Sequence, residues 1–260
     1  KGVLEGHLWV YRGDEAHPYV VFAFTPNWKG SGPQTFLETF EGYVQADAYK
    51  GYDKLFKNGR CIEVGCMAHA RRKWVKAQGS SPQVAGRALD LFGELYAVEK
   101  AAKDFTPDQR RSLRQERSAP VLEKLRLWIG EQEGRALPKS PVTAAIEYAR
   151  NQWTALTRFL DDGRLAIDNN AAELELRQVA LGRKNWMAIG SEVGGETAAI
   201  GYTMIASAVT CGVEPVAWLK DVLEQIVTCP PDRLEELLPD RWKAAHPPQA
   251  SAAPDTATTA

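Results

Sequence analysis

Residues 168–186 read DNNAAELELRQVALGRKNW and contain the most informative helical pattern of the chain. The Asp-Asn pair at its start suits an N-cap, where a short polar side chain accepts a hydrogen bond from a free backbone amide. Glu173 follows in the first two turns, Arg177 comes one turn later, and Gly182 before two cations predicts the end of the helix. A carboxylate held on a rigid helix beside basic residues suits a site for a metal ion and a phosphate backbone. The alternative is local, with Glu173 complementing the helix dipole and pairing with Arg177.

Asp47 is the second acid of interest because it directly follows a β-like run at residues 42–46. Ligands of α/β proteins commonly bind just beyond strand ends, so Asp47 suits a site at the edge of a sheet. Its alternative role is that of a turn residue before segment 49–52. On the helix, Glu175 is a further acid, but it lies about 200° around the axis from Glu173, so only one of the two faces the sheet. We expect Asp47 and Glu173 to meet in space.

The composition is that of an ordinary soluble globular protein, with 260 residues of which 44% are hydrophobic and 25% charged. The formal net charge is −1, so contacts to nucleic acid have to come from local basic patches. No apolar run reaches the ~20 residues of a membrane helix and no signal peptide is visible, so we expect a cytoplasmic protein. The four cysteines form no CxxC pair, which favours reduced thiols, and Cys66 with His69 lacks a second ligand pair for zinc.

The pattern of hydrophobic residues divides the chain into successive parts. They are residues 1–80 (α/β), 81–162 (an all-helical insertion), 163–243 (C-terminal helices) and 244–260 (a disordered tail rich in Ala, Pro and Thr). The predicted strands cover 8–11, 19–24, 42–47 and 61–65, and a helix follows at 66–78. In the insertion, Ala88, Leu91 and Leu95 recur at three- and four-residue steps, as one buried helix face requires. A later helix is predicted to break near Pro120, and the glycine-rich run 190–195 is typical of a turn.

Six basic residues are candidate contacts to the DNA backbone, because Lys and Arg neutralise phosphates. They are Arg71, Arg72 and Lys73 on the helix at 66–78, and Arg177, Arg183 and Lys184 on the helix of Glu173. A solvated helix face is the alternative for each cluster, and it is favoured for four arginines that are interleaved with acids. Those four are Arg110, Arg111, Arg114 and Arg117. His69 suits either a core or capping position or a place near a reaction centre.

Taken together and in order, these segments resemble the catalytic region of the transposases of the IS66 family of insertion sequences. The matching segments are residues 8–11 (LWVY), 45–52 (QADAYKGY), 66–73 (CMAHARRK), 117–120 (RSAP), 159–164 (FLDDGR), 168–173 (DNNAAE), 180–186 (ALGRKNW) and 236–239 (ELLP). They span about residues 8–242, and so many long motifs in register make the resemblance specific.

The resemblance implies an α/β fold with a ribonuclease H-like mixed sheet, a large all-helical insertion before the last acid and a helical C-terminal region. It implies Asp-Asp-Glu chemistry, in which three carboxylates hold two Mg²⁺ ions, or Mn²⁺ in their place, for a phosphoryl transfer that cleaves and joins DNA strands. By position, Asp47 resembles the second acid and Glu173 the third.

The partners that the resemblance implies are double-stranded DNA at the element ends and the target, further copies of the chain assembled on that DNA, and accessory proteins of the same element. The implied place is the cytoplasm of a bacterium, at the nucleoid, and no membrane is implied.

The sequence departs from the family pattern at two places. By the resemblance, the family's first aspartate belongs to a strand that would precede Leu8. Asp14 falls in a turn between strands and is not taken as its counterpart. We therefore expect a truncated fragment with two of three metal ligands that is inactive alone. The family usually has arginine directly after the last glutamate, where this chain has Leu174. Two other functions stay open: a non-catalytic DNA-binding or assembly fragment, and a ribonuclease H-like nuclease that does not join strands.

Overall fold

The computed structural model describes residues 5–57, 59–186 and 189–247, without the side chains of Arg183, Asn185 and Trp186. The chain divides into two compact units. The terminal unit comprises Lys1–Trp28 and Glu175–Ala260, and the central unit comprises Lys29–Leu174. Residues 248–260, most of the predicted disordered tail, lie outside the described residues. The domain boundaries inferred from the sequence stay predictions.

The described residues form mostly helices, together with short strands. The strands are β1 (His7–Arg12), β2 (Val20–Thr25), β3 (Gly42–Gln45) and β4 (Cys61–Val64). The helices are α1 (Ser31–Phe36), α2 (Asp53–Phe56), α3 (Met67–Ala77), α4 (Pro82–Ala101), α5 (Pro107–Leu113), α6 (Ala119–Glu133), α7 (Pro141–Asn151), α8 (Trp153–Thr157), α9 (Asn170–Trp186), α10 (Glu192–Thr210), α11 (Pro215–Gln225) and α12 (Pro239–Ala245). A π-helical segment, Arg114–Ser118, joins α5 to α6, and 3₁₀ segments cover Lys50–Tyr52, Arg158–Leu160 and Pro231–Leu237. Within the described ranges, none of these helices combines the length and apolar character that crossing a membrane requires.

The strands of the described residues form two separate two-stranded sheets. In the terminal unit, β1 pairs antiparallel with β2, and Leu8 lies opposite Phe24. In the central unit, β3 pairs parallel with β4, and Gln45 lies opposite Val64. The structure therefore confirms a mixed α/β class in which helices predominate. A ribonuclease H-like sheet stays a prediction.

The sequence located the four strands and the helix that follows them, but it was wrong at two places that contain glycine. The helix of Glu173 does not end at Gly182 and continues to Trp186, because glycine inside a helix costs only about 1 kcal/mol. The run at 190–195 is not a simple turn either. Ser191 caps α10 there by accepting a hydrogen bond from the backbone N of Gly194 at 3.0 Å.

The central unit has one large hydrophobic core, to which α3, α4, α6 and α7 all contribute. The periodic residues of α4, namely Ala88, Leu91 and Leu95, are buried in this core as predicted. Trp74 of α3 is fully buried, and its ring centroid lies 5.3 Å from that of Trp128 in α6. The α-helix predicted to break near Pro120 is interrupted just before it, since a π-helical segment (Arg114–Ser118) separates α5 from α6. The core therefore anchors α3, which carries the first basic cluster, to the helices that follow it.

Arg114, in the π-helical segment, is buried with 1% exposure. Its Nε and Nη2 donate to the two carboxyl oxygens of Glu99 at 2.8 and 2.6 Å. Its Nη1 donates to the carbonyls of Phe159 and Asp162 at 2.8 and 3.2 Å, and the guanidinium lies 5.1 Å from the centroid of the Phe159 ring. The prediction of a solvated face was wrong for Arg114, which instead links α4 to the chain after α8.

In the terminal unit, hydroxyl groups of α10 cover one edge of β2. Ser207 Oγ accepts from the backbone N of Val20 at 3.1 Å and donates to its carbonyl at 2.9 Å. One turn earlier, Thr203 Oγ1 accepts from the backbone N of Phe22 at 2.8 Å. Because Val20 is fully buried, these bonds satisfy backbone groups that water cannot reach. Side chains of α11 and α12 build a further small core around Trp218.

Replacing the buried arginine, as in Arg114→Met, should lower the free energy of unfolding by roughly 3 kcal/mol, because one partner of a buried ion pair is left uncompensated. Urea denaturation followed by circular dichroism measures the change. The matched control is Arg117→Met, since the Arg117 side chain is 60% exposed and its loss should cost under about 0.5 kcal/mol. Equal stability of the two variants would contradict the structural role of Arg114.

Candidate active site

The carboxyl ends of β3 and β4 lie side by side because the two strands are parallel. The backbone N of Ala46 continues the pairing by donating to Val64 O at 3.1 Å, and Asp47 comes next. Beyond β4, Cys66 is the N-cap residue of α3. This end of a parallel sheet is where α/β proteins commonly bind ligands. Asp47 and the beginning of α3 therefore share one edge, which we call the carboxyl edge (residues 45–47 and 65–67).

Asp47 is exposed and is held in a turn. Its Oδ1 accepts a hydrogen bond from the backbone N of Tyr49 at 3.1 Å, so the residue does have the turn role that the sequence left open. Ala48 has a left-handed backbone conformation with φ of 63°, which redirects the chain after β3. Within the described residues, Oδ2 accepts no hydrogen bond. The carboxylate keeps one oxygen accessible to a ligand.

The segment before α9 is attached to the carboxyl edge by three hydrogen bonds. Gln45 Nε2 donates to the carbonyl of Ala166 at 2.8 Å and to that of Gly65 at 3.3 Å. The backbone N of Met67 donates to the carbonyl of Ile167 at 3.0 Å. Finally, the Sγ of the α3 cap accepts the backbone N–H of Asn169 at 3.4 Å. The start of the helix that carries Glu173 is thereby fixed beside the strand that leads to Asp47.

Asp168 contributes to the start of α9 rather than to a ligand site. One of its oxygens accepts the backbone N–H of Asn170 at 3.2 Å, and the other accepts the phenol O–H of Tyr96 at 2.7 Å. Burial, followed by the bond to Asp168, raises the pKa of Tyr96. The phenol of Tyr96 therefore stays protonated, and its hydrogen bond attaches the start of α9 to α4.

Glu173 points at α3. Its Oε1 lies 3.4 Å from Nε2 of His69, and its Oε2 lies 3.4 Å from Nη2 of Arg72. The side chains of Glu173 and Arg72 are 34% and 51% exposed, and ion pairs so exposed contribute on the order of 0–1 kcal/mol. Glu175 instead pairs with Arg12 of β1. Glu173 is thus the acid of α9 that contacts α3, and its ion pair is weak enough to exchange.

Tyr148, on α7, contacts the basic cluster of α3. Burial raises the pKa of its phenol, acidic groups that include Asp47 raise it further, and Arg72 lowers it. The Nζ of Lys73 lies 5.4 Å from the centroid of its ring. Its Oη is buried and has no hydrogen-bond partner among the described residues. Lys73 therefore lies over the ring of Tyr148, and its neighbour Arg72 contacts Glu173.

The six basic candidates differ in exposure. Those exposed to solvent are Arg71, Arg72, Arg177 and Lys184. Lys73 is half-buried, and the side chain of Arg183 lies outside the described residues. Among the described ion pairs, none joins Arg177 to Glu173, so the local pairing considered from the sequence does not occur. Whether these cations contact DNA stays a prediction.

The described part of the chain contains no group of three or more His, Cys, Asp or Glu side chains arranged to hold a metal ion. The Cys66 sulfur accepts the backbone N–H of Asn169, and burial raises the pKa of its thiol. Asp47 and Glu173 remain as hard oxygen donors. Mg²⁺ is usually held by one or two carboxylates together with waters and substrate phosphates, so the donor chemistry fits Mg²⁺.

Sequence reasoning missed three residues of this site, namely Gln45, Tyr96 and Tyr148. Only Gln45 has a local signal, since it lies two positions before Asp47 and residues two apart share one side of a strand. The two tyrosines have no local signal, because the residues that they contact lie far away along the chain.

Comparison with known proteins agrees with the resemblance. The chain matches the family model described as "Transposase IS66 family" over residues 3–197 and the model described as "IS66 C-terminal element" over residues 203–239. No solved structure matches the chain.

Two curated relatives come from Sinorhizobium fredii (strain NBRC 101917 / NGR234). The chain is 33% identical to the uncharacterized protein y4hP over 264 residues, which cover 92% of this chain and 48% of the relative. It is 35% identical to the uncharacterized protein y4jD over 261 residues, which cover 94% and 51%. The chain therefore spans about half the length of the curated relatives it matches.

Removing the donor at the edge, as in Gln45→Met, should loosen the start of α9. Loss of one hydrogen bond costs about 1 kcal/mol, so amides of residues 167–173 should exchange about fivefold faster. Hydrogen–deuterium exchange with mass spectrometry measures this. The control is Gln115→Met, which removes a similar bond to Leu160 O (2.9 Å) elsewhere in the central unit. Unchanged exchange at 167–173 in Gln45→Met would show that the attachment is not held by this side chain.

Proposed function

The chain belongs to the IS66 family of transposases, and on that premise we propose that it is part of a DDE transposase that cleaves and joins DNA strands at the ends of an insertion sequence. Asp47 serves as the second acid and Glu173 as the third acid of the catalytic site. The first acid is assigned to no residue of this chain. The family's ribonuclease H-like fold is the frame of the proposal, and the order of an antiparallel hairpin, two parallel strands and a long helical region before the last acid supports it.

One observation carries the proposal: the start of α9 is hydrogen-bonded to the carboxyl edge, next to Asp47. Gln45, Met67 and Cys66 each contribute one bond to the segment 166–169. These bonds hold the start of the helix that carries Glu173 beside the strand that leads to Asp47, which supports a shared role for the two acids. If Glu173 only stabilised its own helix, the start of α9 would not have to be attached to the carboxyl edge.

Asp47 and Glu173 are the residues that would hold Mg²⁺, or Mn²⁺ in its place. When bound, the metal supplies Lewis-acid stabilisation of the phosphate oxygens in the transfer. The chain's own contribution is to orient the two carboxylates. The accessible Oδ2 of Asp47 and the oxygen of Glu173 that is weakly paired with Arg72 suit ligands that must exchange partners when a metal ion binds.

DNA is the partner that the family membership suggests, and α3 offers it the most suitable cations. Arg71 and Arg72 are exposed one turn after the helix start, where they can approach a phosphate held at the carboxyl edge. Lys73, Arg177, Arg183 and Lys184 are further backbone contacts in this proposal. Assembly of several copies on DNA, accessory proteins of the element and a place at the bacterial nucleoid belong to the same proposal. Leu174, at the position where the family usually has arginine, leaves one cation fewer beside the last acid.

Radical cutting by Fe²⁺ tests whether the two acids share a cation. Fe²⁺ takes the place of Mg²⁺ at carboxylate sites and, with ascorbate and peroxide, cuts the polypeptide close to where it binds. We expect cuts near both residue 47 and residue 173, both of them lost in Asp47→Asn and both lost in Glu173→Gln. Mass spectrometry of the fragments locates the cuts.

Two acids serve as controls for that experiment. Asp53→Asn changes an acid shortly after Asp47, and Glu175→Gln changes the acid of α9 that pairs with Arg12. Both variants should keep the two cuts. If Asp47→Asn removes only the cut near residue 47, the two carboxylates do not hold a common ion.

Catalysis is tested in a complete transposase that contains this sequence. Asp47→Asn and Glu173→Gln should reduce Mg²⁺-dependent cleavage of element ends to background, because each removes a charged metal ligand, while salt-dependent DNA binding persists. Labelled oligonucleotide ends measure cleavage and joining on the same gel. Full cleavage by either variant refutes the assignment. If the unmutated protein cleaves DNA but forms no joined product, it is a nuclease. If it binds DNA but does not cleave it, it is a DNA-binding or assembly module.

A further inference from the structure

Cys66 and His69, at the beginning of α3, both contact the beginning of α9. Cys66 is fully buried, and its Sγ accepts the backbone N–H of Asn169 at 3.4 Å. His69, one turn along α3, has its Nε2 3.4 Å from Oε1 of Glu173. Within α9, the carbonyl of Asn169 accepts the backbone N–H of Glu173 at 3.1 Å. These contacts close a ring that passes through the first turn of each helix.

We propose that Cys66 and His69 are positioning residues for the carboxylate of Glu173, an inference that rests on the metal-ligand role proposed above. Cys66 fixes the point at which α9 begins, and His69 orients the carboxylate at the other end of that turn. Residues three apart on a helix share a face, so both side chains of the C-x-x-H pair reach α9 together. A spacing that resembles half of a zinc site here serves to place an acid.

The two contacts are complementary, because each fixes what the other leaves free. A bond to the backbone N of Asn169 sets the register of α9 but leaves the side-chain torsions of Glu173 unrestrained. A bond from His69 restrains the carboxylate, yet it is useful only if the helix start does not move. Catalytic groups need both a fixed backbone and a fixed rotamer to stay within about 0.5 Å of their working geometry.

The positioning role requires one particular tautomer of His69. Nδ1 is buried and has no hydrogen-bond partner among the described residues. A neutral imidazole carries its proton on one nitrogen only, and a buried N–H without an acceptor is costly. In the positioning role the proton is on Nε2, which faces Oε1 of Glu173 at 3.4 Å. The other tautomer, with the proton on Nδ1, would make Nε2 the acceptor of Arg72 Nη1, which lies 3.2 Å away.

Arg72 differs from the two positioning residues. It contacts the other oxygen of Glu173, Oε2, from a side chain that is 51% exposed, so it can leave that oxygen for a phosphate. His69 is only 19% exposed and is held in place by α3. The carboxylate thus has one lasting partner and one that exchanges.

The tautomer of His69 tests the inference without any metal. In ¹⁵N spectra of the chain at about pH 8, where imidazole is ordinarily neutral, we expect the His69 proton on Nε2. Glu173→Ala should shift the Nε2 resonance and mix the tautomers, whereas Glu175→Ala should leave both unchanged. A proton on Nδ1 in the unmutated chain, or a His69 spectrum indifferent to Glu173→Ala, overturns the positioning role of His69.

Paired variants test the consequence for the metal, with Fe²⁺ cutting near residue 173 as the readout. His69→Leu should reduce the cutting about tenfold or more, as loss of residues that orient metal ligands usually does, and His69→Gln, which restores a donor, should recover most of it. Cys66→Ala should reduce the cutting and speed amide exchange at 169–173, and Cys66→Ser, which restores an acceptor, should reverse both. Lys76→Gln, an exposed change on the same helix, is the control.

These outcomes separate the two proposals. If the unmutated chain shows no cut near residue 173, the metal-ligand role of Glu173 fails, while the tautomer and the exchange data still decide whether Cys66 and His69 hold this acid. If the cuts are present and His69→Leu and His69→Gln behave alike, the metal-ligand role stands and the positioning role is refuted. Equal exchange at 169–173 in Cys66→Ala and the unmutated chain refutes the part assigned to Cys66.

Discussion

The attachment of segment 166–169 to the carboxyl ends of β3 and β4 is the constraint on which the candidate site depends. Side-chain, backbone and thiol groups of the edge each provide one of its bonds. Without them, the start of α9 would be joined to Asp47 only through the long helical region between them. With them, the start of α9 is held beside the strand that ends before Asp47, and Glu173, one turn along, contacts α3.

The helical region between the two acids is folded so that the attachment is stable. Its large core includes Trp74 from α3 as well as residues of α4, α6 and α7, so the helix that receives Glu173 is itself fixed by the region that precedes it. Arg114 links the chain after α8 to α4 through hydrogen bonds to Glu99 and to two backbone carbonyls. Closing a long loop costs little more entropy than closing a short one, and this packing offsets that cost.

Local and tertiary roles coexist at both acids. Asp47 stabilises its own turn through Tyr49, and Glu173 forms a weak ion pair with Arg72. Neither interaction uses the residue fully, since one oxygen of Asp47 accepts no bond in the described structure and both contacts of Glu173 are long. Buried, strongly bonded groups such as Arg114 are fixed by stability, whereas exposed and weakly paired carboxylates can change partners. A metal ligand has to be able to change partners in this way.

The sequence by itself determined the elements and the family. Short apolar runs located the four strands, and a three- and four-residue period located the buried face of α4, because both signals can be read locally. Matching motifs in register identified Asp47 and Glu173 as the acids to examine.

The same local reasoning was wrong for Gly182, which stays inside α9, and for Arg114, which is buried, since packing between distant segments overrides both helix propensity and surface charge. Only the tertiary structure decided that Glu173 and not Glu175 contacts α3, and that Cys66 and His69 both contact the beginning of α9. It also revealed Gln45, Tyr96 and Tyr148. Each of these depends on contacts between residues far apart in the chain, and such contacts leave no period or spacing in the sequence.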